Sequence, residues 1–340
     1  MIDGKESMVD EFVLHRIGAN SAESVFSDHS AVLQGPEEQE FLRKLFLRPF
    51  ASMSQTLEFA PEIEGKENVL HTICKGIEKG DDLVNASTDI AKHLINSSEN
   101  HAIKVGDLFV VKFSHVVLGT SMYEAVGIYK FDEKEVFIES KVKGKELGMQ
   151  LKRGLGSTKP NMACMVVFTK KGYTLFMIDD RSHNPSWQQE FIGHRLKRDN
   201  VNSTSNVLEM TKSFITEKLP QDFEIPKADQ IDLLNRSVQY FKDNSEFDKN
   251  AFAQEVFQEE SVMGSFQKFG EQFQESRGME LDDNFEISAH AVKKQARIFK
   301  SVLKLDKNFH IYIHGDRNKI EHGVDDSGRK FYKIYYELET

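Results

Sequence analysis

Gly154-Leu-Gly-Ser-Thr-Lys159 is the segment that comes nearest to a phosphate-cradling loop, since it holds two glycines and a lysine. It lacks the third glycine of a dinucleotide fingerprint, and Pro160 follows the lysine where a P-loop requires Ser or Thr, so it reads as a turn between strands. His310 and His314 fall on one face of a strand, but four residues of strand span about 13 Å, too far for two imidazoles to share a metal ion. Asp179, Asp180 and Glu190 are the best local set of carboxylates for holding magnesium, and they match no nuclease motif. Cys74 and Cys164 form no CxxC pair and no zinc spacing, and no GxSxG elbow is present. The chemistry-bearing residue types therefore predict no catalytic residues, no metal and no cofactor, with a metal-dependent nuclease as the weaker alternative.

Charge gives a stronger signal. The net charge of −10, taken whole, argues against a nucleic-acid partner. Its distribution does not: residues 141–198 hold 12 basic and 4 acidic side chains, and residues 288–340 hold 11 and 7. Residues 1–104 and 219–287 are acidic, with 10 against 18 and 6 against 16. Ser288 can cap a short helix running to about Arg297, with Ala289, Val292, Ala296 and Phe299 turned inward. His290, Lys293, Lys294 and Arg297 then face outward, next to a strand carrying Lys300 and Lys304. Aligned cations of this kind suit a polyphosphate backbone, because each contact releases counterions. A second cluster is Lys141, Lys143, Lys145, Lys152 and Arg153, spanning the end of one strand and the following loop. A third is His194, Arg195, Lys197 and Arg198. Neither shows the aromatic interleaving of a single-strand platform, so contact with duplex backbone is the expectation.

Positioning these clusters requires two kinds of element. Phe12–Ile17 reads as a first strand, and helices follow at about 37–47, 66–79 and 83–95. From Gly106 the texture turns to strands at 108–113, 123–131, 135–142, 162–168 and 173–178, joined by short turns, which predicts an antiparallel sheet. A helix at about 207–218 ends at Leu219-Pro220. The Pro220–Pro226 stretch divides an N-terminal α+β domain, residues 1–220, from a C-terminal domain, residues 221–340, that starts helical and closes in antiparallel strands. Ile231, Leu234, Val238 and Phe241 form one apolar helical stripe, and Val262, Phe266, Phe269 and Phe273 another; both belong to a core. Asp325-Asp-Ser-Gly328 fits a hairpin turn.

Several pieces, in order, resemble the bacterial nucleoid-associated proteins of roughly 37 kDa. They are Phe12-Val-Leu-His-Arg-Ile-Gly18, Leu42-Arg-Lys-Leu-Phe-Leu-Arg-Pro-Phe50, Asp107-Leu-Phe-Val-Val111, Met162-Ala-Cys-Met-Val166 with Gly172-Tyr173, Asn284-Phe-Glu-Ile-Ser288 through Val292-Lys-Lys-Gln-Ala-Arg297, and Phe309-His-Ile-Tyr-Ile-His314. The resemblance covers nearly the whole chain and implies DNA association in the bacterial nucleoid, with no catalytic residues to carry over. No signal peptide and no apolar run of about 18 residues is visible, so a cytoplasmic, non-membrane protein is expected. Double-stranded DNA is the expected partner. Nucleoid proteins docked on the acidic 219–287 segment are the alternative, and the Phe-rich helices are compatible with a homodimer.

Overall fold

In Leu108-Phe-Val-Val-Lys-Phe113 successive side chains point to opposite sides of a strand, and both sides are buried, which explains the nearly continuous apolar run. The computed structural model describes residues 2–31, 33–53, 55–61, 67–98, 103–180, 184–297, 299, 302–313 and 319–339, with the backbone alone at Lys143. The chain divides into two compact units, Met1–Lys197 and Arg198–Thr340.

The first unit contains strands β1 (Ile2–Asp3), β2 (Met8–Ile17), β3 (Leu57–Phe59), β4 (Gly106–Leu118), β5 (Ser121–Phe131), β6 (Glu135–Lys143), β7 (Glu146–Gly154), β8 (Met162–Thr169), β9 (Gly172–Asp179) and β10 (His194–Leu196). Eight of them form one antiparallel sheet in the order β1-β4-β5-β8-β9-β3-β10, with β2 also on β4. Helices α2 (Val69–Glu78) and α3 (Leu83–Asn96) cover one side, where Val110, Ile128 and Val166 meet Leu70, Ile90 and Leu94. Helix α1 (Pro36–Leu47) covers the other, where Val111, Tyr129 and Met165 meet Phe46. Asn68 and Asp82 cap α2 and α3 by accepting from the backbone N–H three residues on. The expected antiparallel sheet with helices is therefore present. One strand departs from expectation: β6 does not join the sheet but pairs with β7 alone, as a two-stranded ribbon. Residues 146–154, read as loop, are strand.

His15 on β2 ties that sheet edge to α3. Its Nδ1 accepts from the Ser27 N–H at 3.1 Å, which leaves the ring proton on Nε2, 3.0 Å from Ser87 Oγ. That hydroxyl in turn donates to the Val84 carbonyl at 2.8 Å. Burial pushes the imidazole pKa down to about 4. The folded value lies below the unfolded value of about 6.5, so the stabilisation is complete above pH 6.5 and is lost as pH falls towards 4. Between pH 7 and 5 the loss amounts to about 2 kcal/mol, at about 1.4 kcal/mol per pH unit. Urea unfolding at the two pH values checks this; a His15→Gln variant that shows the same drop as the wild type would assign the acid sensitivity to other groups.

The second unit begins with α4 (Asn200–Ser213), capped by Asp199 and continued through a π-helical turn at Phe214–Lys218 into α5 (Leu219–Asp222). There follow α6 (Lys227–Asp243), β11 (Glu246–Asp248), α7 (Lys249–Phe257), α8 (Glu260–Arg277), β12 (Asn284–Glu286), α9 (Ala289–Gln295), β13 (Val302–Leu305), β14 (Phe309–Tyr312), β15 (Ile320–Val324) and β16 (Lys330–Ile334). The strands pair locally as β11-β12, β13-β14 and β15-β16. The two apolar stripes of α6 and α8 pack with Phe214, Phe252 and Phe257 in one aromatic core. Gly328, at φ 79°, closes the β15-β16 hairpin as its sequence predicts. The unit starts at Arg198, upstream of the boundary drawn from the prolines. The reason is that Val207, Leu208 and Phe214 belong to the second core, and the helical segment runs on through Pro220, with the π-helical turn immediately before it.

Candidate nucleic-acid interface

Helix α9 is short because its cap and its stop lie close together. Ser288 Oγ accepts from the Ala291 N–H, and Ala296 closes the C-terminal end. Ala291 and Val292 are buried, which turns Lys293 outward. The helix stops two residues before Arg297, so the cationic stripe expected along one helix is a helix turn plus the segment after it. Lys293 and Arg297 are exposed, and neither has an ion-pair partner among the described residues. Lys294 is half-buried, and burial holds its ammonium below the ordinary lysine value. Lys300 lies outside the described residues, as does His314. Lys304 on β13 stands opposite His310 on β14, on the outer face of that hairpin.

The second cluster is carried by the β6-β7 ribbon. Directly opposed residues share a face, so Phe137, Glu139, Lys141, Gln150 and Lys152 lie on one side. Glu139 holds Lys152 at 2.8 Å and Lys141 at 3.3 Å, and those two ammonium groups keep its carboxyl below the usual range. Lys145 sits in the tip turn, and Arg153 lies on the opposite face at the base. The excess of positive charge read from this segment is thus partly neutralised in place. The third cluster is engaged as well. Arg195 on β10 pairs with Glu58 on β3 at 2.8 Å, Lys197 donates to the Tyr173 carbonyl, and Arg198 pairs with Glu280 at 2.8 Å. Burial lowers the His194 pKa.

The acid trio does not make a metal centre: Asp179 accepts from the Asn184 N–H and from Gln188, and Asp180 accepts from Asn161, so both tie down a loop. Among the described residues no group of three His, Cys, Asp or Glu side chains is placed to hold a metal ion. Both cysteines are buried; desolvation takes the Cys74 thiol up to about 12 and raises that of Cys164. A feature that segment charge counts miss is a cleft of about 620 Å³ lined by Phe41, Lys44, Arg48, Ser157, Thr158 and Lys159. The sequence signal for it was Lys44 and Arg48 at helical spacing. Ser157 and Thr158, in the turn first considered for phosphate, instead donate to Glu135. No helix among the described residues is long and apolar enough to cross a membrane. No curated protein matches the chain. The profile of the family described as Nucleoid-associated protein YejK does match, over residues 13–331, and the chain accordingly belongs to that family of nucleoid-associated proteins.

Proposed function

We propose that this nucleoid-associated chain binds duplex DNA directly, through the phosphate backbone and with little readout of base sequence. The observation that carries the reading is the exposure of Lys293 and Arg297 one turn apart with no carboxylate partner among the described residues. Lys141, Lys152, Arg195, Lys197 and Arg198, by contrast, are already engaged with partners. Lys293, Lys294 and Arg297 make the principal contact, continued by Lys300. The ribbon, with Lys141, Lys143, Lys145, Lys152 and Arg153, makes a second. Arg195, Lys197 and Arg198 rank last, because each must first give up an existing partner. The reading is of a binding protein acting in the nucleoid, without a catalytic step.

The test is the affinity of the full chain for a labelled duplex across a salt series. Each phosphate contact adds about 0.9 to the slope of log affinity against log salt, so three contacts give roughly −3. Unrelated duplex sequences should bind alike. If the folded chain shows no binding at low salt, direct contact is wrong; DNA association then runs through a basic protein partner docked on the acidic helices of residues 219–287.

A further inference from the structure

The face of the β6-β7 ribbon opposite Glu139 is apolar. The register Val136↔Arg153, Ile138↔Leu151, Ser140↔Met149 and Val142↔Leu147 puts Val136, Ile138, Val142, Leu147, Met149 and Leu151 together on it. All six are exposed, from 56% at Val136 to 81% at Leu147. Among the described residues both strands pair only with each other, and a lone two-stranded hairpin is marginal in water. Monomeric proteins rarely leave a contiguous apolar patch of more than a few hundred Å² open to solvent.

We propose that this face is a homodimer interface, in which the ribbons of two copies stack apolar face to apolar face about a two-fold axis. A two-fold contact uses the same surface on both subunits, so it needs a self-complementary patch. This one qualifies: Arg153 at the base is its one charged side chain, while Glu139, Lys141 and Lys152 lie on the other side, paired with one another. Its size also fits. At roughly 100 Å² apiece the six side chains offer about 600 Å², close to the ~800 Å² per partner of a standard interface. The proposal does not rest on the DNA reading: of the cations assigned to the ribbon's DNA contact only Arg153 lies on this face, at its base, while Lys141 and Lys152 lie on the opposite one.

The experiment is sedimentation equilibrium on the full chain at micromolar concentration, with Leu147→Glu/Met149→Glu as the variant. Both positions are exposed, so the variant chain should fold, which near-UV circular dichroism checks. The wild type is expected at twice 39.0 kDa and the variant at 39.0 kDa. As a second measurement, Ser140→Cys, on the same face, should cross-link two copies with a short bis-maleimide. A wild type that stays at 39.0 kDa overturns the proposal and leaves the face to a different protein. A dimer that survives both Glu substitutions overturns it too, by placing the interface elsewhere.

Discussion

Replacing Lys293 and Arg297 together by Gln is expected to weaken duplex DNA binding about 60-fold at 0.1 M salt and to reduce the salt slope by about 1.8, the values for two lost counterion-release contacts at 0.9 each. Stability should hardly change, because both side chains are exposed and neither takes part in an ion pair among the described residues. The comparison that gives the result meaning is Lys141→Gln/Lys152→Gln. Both variants remove two positive charges, but the ribbon lysines are committed to Glu139 and so make weaker phosphate contacts to begin with. The ribbon variant should therefore lose less than the α9 variant. Equal losses would move the main contact to the ribbon, and an unchanged slope in the α9 variant would rule that patch out.

Lys130→Met is expected to cost about 3–5 kcal/mol of stability, the usual penalty for stranding one half of a buried ion pair. Lys130 sits on β5 in the centre of the sheet. Its ammonium lies 2.6 Å from Asp132 Oδ1 and donates to the Lys104 carbonyl at 2.8 Å, and the two side chains are 0% and 1% exposed. Space for the ammonium depends on Gly106, where an added Cβ would collide with Lys130 Nζ and the Phe131 carbonyl. Removing the cation leaves the buried Asp132 carboxyl without its closest partner. Lys130→Met/Asp132→Asn, which removes both charges, should recover much of the loss. Urea midpoints of the three proteins decide the matter: a single-variant cost below about 1 kcal/mol would show that water reaches the site.

Much of the first unit could be read from local pattern. Strands β4, β5, β8 and β9 are sandwiched between helices, so burial on both sides leaves an unmistakable apolar run in each. Strand β7 was hidden for the opposite reason. Leu147, Met149 and Leu151 do alternate, but Gly148, Gly154 and the neighbouring charges give the segment the composition of a solvated loop, which is what a ribbon open to water on both sides looks like. The boundary at Lys197 was also hidden, because a proline in a helix's first turn and a proline in a linker look the same in one dimension. The candidate site was legible as a set of residues but not as a set of available charges. Glu58 meets Arg195 across 137 residues of chain, and Glu280 meets Arg198. No count over a segment reveals such pairings, whereas Lys293 and Arg297 kept their character as exposed cations.

Cys74 and Cys164 share the core beneath α2 and α3, each fully buried with its thiol proton held tightly. Thiol reagents attack the thiolate, so the native chain should be silent towards them. Its reaction rate then becomes a clock for the opening of the first unit, read without denaturant and without any mutation. A ligand that closes that unit would slow the clock, and a cysteine placed anywhere on the surface would label fast against a dark background.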